Sequence, residues 1–151
     1  MLKAGYIVEN INNSTGLLAE LKENSDEKKC LFFRAEMDAL PVGNGIVRHA
    51  CGHASHMAIM LSFAEELSYY PDVNINVAFL FQPAEELCDG AKRVLQHEIF
   101  KKYDEKYVFG VHMWADLPYC SCAFVKDSLM AGGGQFQIEL MGMRHMVLFL
   151  I

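Results

Sequence analysis

Several side chains that can bind a metal ion or move a proton follow directly after apolar stretches of the sequence. Glu36 and Asp38 follow the first stretch, Glu85 and Glu86 follow the second, and His112 lies within the third, while Cys51 and His53 come just before a helical pattern. A thiolate, imidazoles and carboxylates together suit zinc or a similar transition metal better than magnesium or calcium. The sequence therefore indicates a transition-metal site, provided that the fold brings these residues together.

The adjacent carboxylates Glu85 and Glu86 admit two interpretations. Two neighbouring carboxylates cannot both lose their water unless a cation or a proton compensates them, so one can bind a metal while the other acts as a base. The alternative is a solvated start of a helix. His56 lies three residues after His53, on about the same side of a helix, and has either a metal-binding or a structural role.

The hydrophobic pattern predicts the elements that must position these residues. Apolar stretches at 30–35, 75–81 and 107–113 are typical of buried strands, and the period of residues 57–70 and 90–100 predicts two helices. A short strand at 16–21 is expected to form a hairpin with 30–35. The alternation of strands and helices favours an α/β fold, a layered, largely parallel sheet whose ligands gather at the carboxyl ends of the strands.

Length and composition limit the class of protein. The chain has 151 residues, of which 52% are hydrophobic and 21% charged, and its formal net charge is −6. It is therefore expected to form one domain, or one domain and the beginning of a second, with no nucleic acid and no membrane among its partners. We find neither a secretion signal nor an apolar run of the roughly 18–20 residues that span a bilayer, and expect a cytoplasmic location.

Four segments resemble, in order, the motifs of the M20 peptidase family of metal-dependent amidohydrolases. The resemblance is to the branch that contains hippurate hydrolase, N-acetyldiaminopimelate deacetylase and the auxin-conjugate hydrolases. The segments are Arg-Ala-Glu-Met-Asp-Ala-Leu-Pro at 34–41, His-Ala-Cys-Gly-His at 49–53, Phe-Gln-Pro-Ala-Glu-Glu at 81–86 and Gly-Val-His-Met-Trp at 110–114.

The resemblance implies a zinc-peptidase-like catalytic domain and assigns roles to the candidate residues. The ligands of two divalent transition metal ions (Zn, Mn, Ni or Co) would be Cys51, His53, Glu86 and His112. The Cys51 thiolate would be a candidate bridge between the metals, Glu85 the general base, and Asp38 a nearby carboxylate that orients an imidazole. The implied reaction is hydrolysis of the amide bond of an N-acyl amino acid or a short peptide.

The sequence also departs from the family pattern. Ala54 stands where the family has an aspartate, the stretch 41–49 is short, and the alternating residues 135–140 resemble the first strand of the family's lid, or dimerisation, domain. We therefore expect residues 1–130 to form part of the catalytic domain and residues 131–151 to begin a truncated lid. The hydrolase activity is expected to be impaired by the truncation, and a homo-oligomer is possible. The alternatives are a non-catalytic, metal-binding remnant and a thiol-based redox or metal-storage protein.

Overall fold

The structure is a computed structural model that describes residues 1–11, 14–21, 28–70, 73–129 and 137–138. Its contacts divide the chain into two compact units, Met1–Ala115 and Asp116–Ile151. The elements of the first unit are a 3-10 helix at Leu2–Ala4, the strands β1 (Tyr6–Asn10), β2 (Leu17–Leu21), β3 (Lys29–Glu36), β4 (Leu40–Pro41), β5 (Val47–Arg48), β6 (Asn76–Gln82) and β7 (Glu105–Gly110), and the helices α1 (His53–Leu67), α2 (Gly90–Val94) and α3 (Ile99–Lys102).

Five of the strands form one mixed sheet in the order β1-β2-β6-β3-β7. β3 is parallel to both β6 and β7, whereas β2 is antiparallel to β6 and β1 is antiparallel to β2. β4 and β5 form a separate antiparallel pair. The predicted α/β fold with a largely parallel central sheet is confirmed.

β6 is the centre of the core because both of its faces are covered. All seven of its residues are buried. Val77, Phe79 and Phe81 pack in one cluster with Met60 and Ala64 of α1. The alternate residues Ala78 and Leu80 pack in a second cluster, with Val94 of α2 and Ile99 of α3. A strand between two layers of helices needs apolar residues on both faces, which explains the unbroken apolar sequence from Val77 to Phe81.

The predicted hairpin between 16–21 and 30–35 is wrong. β2 and β3 do form at these positions, but β6 lies between them and pairs with both. An apolar strand such as β6 buries most surface when it has a strand on each side and helices on both faces. The central position therefore goes to β6 although it comes later in the chain.

The strand predicted at 107–113 is confirmed at 107–110, but its predicted burial is wrong. β7 runs from Glu105 to Gly110, lies at the edge of the sheet, and has all six residues exposed. Tyr107, Val108 and Phe109 are 50%, 58% and 50% exposed. Because β7 ends at Gly110, His112 lies in the segment that follows the strand and not within it.

The helices differ from the predicted ones in their bounds. α1 begins at His53, four residues before the apolar period becomes visible at Met57, and ends at Leu67. The single helix expected at 90–100 is divided into α2 and α3 by a turn, in which the His97 N–H donates to the Val94 carbonyl at 2.9 Å.

The second unit contributes no helix or strand among its described residues, 116–129 and 137–138. Both the predicted boundary between 130 and 131 and most of the predicted lid strand at 135–140 lie outside the described residues. Across the described parts of both units, no helix combines the length and apolar character that crossing a bilayer requires.

Candidate metal centre

The candidate residues follow the carboxyl ends of the parallel strands. β3 and β6 end level with each other, because Glu36 pairs with Gln82. The Met37 N–H then donates to the Gln82 carbonyl at 2.8 Å and extends the pairing by one residue. The loops after β3 and β6 therefore leave the sheet side by side, the arrangement in which parallel sheets bind their ligands.

The loop after β6 is folded back tightly and carries Glu85 and Glu86. The Gly90 N–H donates to the Ala84 carbonyl at 3.0 Å. Position 90 requires glycine, because a Cβ there would lie 1.9 Å from the Pro83 carbonyl oxygen. Ala84 has a left-handed φ of 54°, which costs free energy for a residue with a side chain. The hydrogen bond that closes the loop offsets this cost, and the folded loop places both carboxylates at the edge of the sheet.

Gly52 makes the turn that separates Cys51 from His53. Its φ is 86°, in the left-handed region, and a Cβ at this position would lie 3.2 Å from the Cβ of Met113. Glycine is therefore needed both for the backbone conformation and for the close approach of the segment after β7. The turn places His53 at the first position of α1, where its side chain is buried.

Three of the four predicted metal ligands meet at this point. Cys51, His53 and Glu86 each offer one ligand atom, and these atoms all lie within 4.8 Å of one another. The Nε2 atom of His53 is 3.8 Å from Glu86 Oε1 and 3.7 Å from Glu85 Oε2. The predicted base therefore lies beside the same edge of the imidazole as the predicted ligand.

Asp38 holds two of these residues in place. The Nδ1 atom of His53 is 2.9 Å from the Asp38 carbonyl oxygen and 3.4 Å from Asp38 Oδ1. Because a carbonyl can only accept, Nδ1 carries the proton and the lone pair of His53 is left on Nε2, towards the two glutamates. Asp38 Oδ2 accepts a hydrogen bond from the Glu86 N–H at 2.9 Å.

The negative charges around Cys51 hold its thiol in the protonated form. Interaction with the Glu86 carboxylate, burial, and the charges of Glu85 and Asp38, in that order, raise the pKa of Cys51 from 9.0 to about 11. A bound cation has the opposite effect, because a thiol that coordinates a metal is deprotonated. The group is therefore a poor free nucleophile and a good ligand for a metal that displaces its proton.

Glu86 provides a direct indication that the group fits a cation. Its Oε1 atom is buried and has no hydrogen-bond partner among the described residues. A buried carboxylate oxygen without a partner is costly, and a positive ion beside it removes that cost. One sulfur, one imidazole nitrogen and one carboxylate oxygen are donors typical of zinc and related transition metals.

His112, the fourth predicted ligand, lies outside this group of three. It is exposed, and its Nδ1 atom is 2.7 Å from the Met113 carbonyl oxygen. A proton on Nδ1 therefore donates to that carbonyl and leaves the lone pair on Nε2, as in His53. The ring of His112 is 4.8 Å from the ring of His56, centroid to centroid.

A second buried group, Glu36, His53 and His56, adjoins the first. Glu36 Oε2 is 2.8 Å from His56 Nδ1, and Glu36 Oε1 accepts from Arg34 at 2.6 Å. Burial alone would raise the pKa of Glu36, but the hydrogen bond to His56 and the charge of Arg34 outweigh it and hold the pKa below 4.5. The sequence indicated Glu36 and His56 separately. It did not indicate that Glu36 is hydrogen bonded to both Arg34 and His56.

The model of peptidase family M20/M25/M40 matches residues 32–124, more than half of the chain. The chain belongs to this family. It is 35% identical to hippurate hydrolase of Campylobacter jejuni, over 91% of this chain and 38% of that protein. It is 33% identical to N-acetyldiaminopimelate deacetylase of Bacillus licheniformis, over 85% of this chain and 36% of the relative.

A solved structure supports the same fold. The chain is similar to the Bacillus subtilis YXEP protein, described as a dinuclear metal-binding peptidase of the M20 family, with a TM-score of 0.66 and 29% identity. The match covers 78% of this chain and 35% of that one. This M20 chain therefore spans little more than a third of the length of the relatives that it matches.

Replacement of Glu86 should make the thiol of Cys51 more reactive in the metal-free M20 chain. Glu86→Gln removes the negative charge of the residue that contributes most to this raised pKa, so alkylation of Cys51 by iodoacetamide at pH 8 should become about 3- to 10-fold faster, since more thiolate outweighs its lower nucleophilicity. Mass spectrometry of the Cys51 peptide after chelator treatment measures the rate. Glu98→Gln, an exposed glutamate, is the matched control, and an unchanged rate in Glu86→Gln would contradict the explanation.

Proposed function

We propose that this chain provides the metal ligands and the general base of a hydrolase that cleaves the amide bond of N-acyl amino acids or short peptides. The observation that carries the proposal is the meeting of Cys51, His53 and Glu86, with the Glu86 Oε1 atom buried and without a hydrogen-bond partner in the described part of the chain. Asp38 accepts hydrogen bonds from the His53 imidazole and from the Glu86 backbone N–H, and so holds both residues in advance. Such prior fixing is typical of a metal site, since ligand orientation depends on the surrounding hydrogen bonds.

The names of the relatives support the substrate class. One is a hydrolase of hippurate and another removes the acetyl group from N-acetyldiaminopimelate, and both names describe an acyl group joined to an amine. We infer an N-acyl amino acid as the substrate class here. The acyl group and the amino acid that are preferred are left open.

The proposed ligands are Cys51, His53, Glu86 and His112, and two divalent transition metal ions (Zn, Mn, Ni or Co) fit their donor atoms. When bound, such ions polarise the amide carbonyl and lower the pKa of water. Within this site His53 and His112 each tie Nδ1 to a backbone carbonyl and keep Nε2 for a ligand. Cys51 gives up its proton to become a ligand, which makes metal affinity rise with pH.

Glu85 is the proposed general base. Its side chain is 39% exposed, so water reaches it, while its Oε2 atom lies 3.7 Å from His53 Nε2. Glu86, its neighbour, is more buried and has its backbone fixed by Asp38. Glu85 is therefore the carboxylate that is free to take a proton from the attacking water and to return it to the leaving amine.

The alternative is a chain that binds metal without turning substrate over. Ala54, which stands where the family resemblance expects an aspartate, is exposed on the first turn of α1 and supplies no carboxylate. Retention of metal without hydrolysis of any N-acetyl or N-benzoyl amino acid would favour this alternative.

Metal retention tests the ligand set. The chain should retain a transition metal through dialysis, and Cys51→Ala and His112→Ala should lose most of it, because each removes a donor. Elemental analysis by mass spectrometry gives the metal content. The controls are Cys120→Ala and His97→Ala, which remove the same side chains elsewhere. Full retention in both Cys51→Ala and His112→Ala would refute the proposed ligands.

Two neighbouring isosteric substitutions separate the base from the ligand. Glu85→Gln should retain metal and lose hydrolysis of N-benzoylglycine by about 10²- to 10⁴-fold, because an amide cannot accept the proton. Glu86→Gln should lose metal itself. Metal content and hydrolysis are measured on the same preparations. The opposite result, metal lost in Glu85→Gln and retained in Glu86→Gln, would exchange the two roles.

A further inference from the structure

His56 differs from the other two histidines at this edge of the sheet because both of its ring nitrogens are occupied. Its side chain is completely buried. Nε2 accepts a hydrogen bond from the Met113 N–H at 2.9 Å, and Nδ1 lies 2.8 Å from Glu36 Oε2. A backbone N–H can only donate, so Nε2 is unprotonated and the proton lies on Nδ1. No lone pair of His56 is left for a metal.

His56 is the middle of a chain of hydrogen bonds that joins four elements. Arg34 donates to Gln82 Oε1 at 2.7 Å and to Glu36 Oε1 at 2.6 Å, which connects β3 with the end of β6. Glu36 accepts from His56 on α1, and His56 accepts from Met113 in the segment after β7. The segment that contains Met113 follows the exposed edge strand β7. The hydrogen bond from Met113 to His56 therefore fixes this segment to the buried side chain of α1.

Met113 lies between two parts of the candidate centre. It follows His112 directly, and its carbonyl accepts from the His112 ring. A Cβ added at Gly52 would lie only 3.2 Å from the Met113 side chain, and Gly52 makes the turn between Cys51 and His53. A shift of Met113 would therefore move His112 and remove the support of that turn.

We infer that His56, oriented by Glu36 and Arg34, is a positioning residue that fixes the Met113 amide and thereby the position of His112, the residue directly before it. This inference rests on the proposed metal centre and extends it to a residue that binds no metal. His56 acts through Met113 and not through the metal.

Two substitutions separate the two hydrogen bonds of His56. Asparagine carries its amide at the position of Nδ1, so His56→Asn keeps a donor to Glu36 but has no acceptor for Met113. Glutamine carries its amide at the position of Nε2, so His56→Gln keeps an acceptor for Met113 but loses the donor to Glu36. Circular dichroism and thermal unfolding check that both variants fold.

The first measurement is made on metal-free protein, by hydrogen exchange of the Met113 amide. We expect exchange on the order of 10- to 100-fold faster in His56→Asn and close to wild type in His56→Gln. The second is the dissociation constant for Co²⁺ together with its absorption spectrum. His56→Asn should bind about 10- to 100-fold more weakly with an altered spectrum, as for the loss of other residues that orient ligands, and His56→Gln should stay close to wild type.

The outcomes are separable from those of the proposed function. Equal protection of Met113 in His56→Asn and wild type, or equal weakening of Co²⁺ binding in both variants, would overturn the inference. If the wild type bound no metal, the proposed function and the placement of His112 at a metal centre would fall together, while exchange would still decide whether His56 fixes Met113. Histidine ¹⁵N shifts of the wild type need no variant: an unprotonated Nε2 supports the inference, and an Nε2–H tautomer refutes it.

Discussion

The parallel pairing of β3 with β6 determines where Asp38, Glu85 and Glu86 lie. With Glu36 opposite Gln82, the two strands end level, and the chain after each strand begins at the same edge. Asp38 is then close enough to accept from the Glu86 N–H at 2.9 Å, although 48 residues separate them. α1 connects the two strands, and its first residue, His53, points at this edge. A slip of one residue in the pairing would turn these side chains to the other face.

The candidate centre concentrates negative charge that no described residue neutralises. Glu86, Glu85 and Asp38 together raise the pKa of Cys51, and one Glu86 oxygen is buried without a hydrogen-bond partner among the residues that the structure describes. The adjoining network is the opposite, since Arg34 neutralises Glu36 and His56 completes its hydrogen bonds. One cluster is thus electrostatically complete and structural, and the other is incomplete without a cation. This contrast separates a ligand set from a structural group more clearly than the residue types do.

Local patterns predicted the elements, and pairing between distant segments explains the errors. The apolar run of β6 and the residues after β3 and β6 could be recognised because burial and strand ends leave a local signal. The predicted hairpin was wrong because β6 lies between β2 and β3. Which strand takes the central position of the sheet depends on competition between distant segments, and the local sequence does not encode it. β7 was expected to be buried because its sequence is apolar, and it lies at an edge. The link from Arg34 through His56 to Met113 joins residues 79 positions apart, so no spacing rule finds it.

X-ray absorption at the zinc edge, on the chain loaded with one equivalent of Zn²⁺, shows whether Cys51, His53 and Glu86 bind one metal ion together. We expect one sulfur at about 2.3 Å together with nitrogen and oxygen neighbours at about 2.0–2.2 Å, because these three residues meet at one point. The sulfur contribution should disappear in Cys51→Ala and persist in Cys88→Ala. A shell of oxygen and nitrogen without sulfur, or sulfur that persists in Cys51→Ala, would contradict the account.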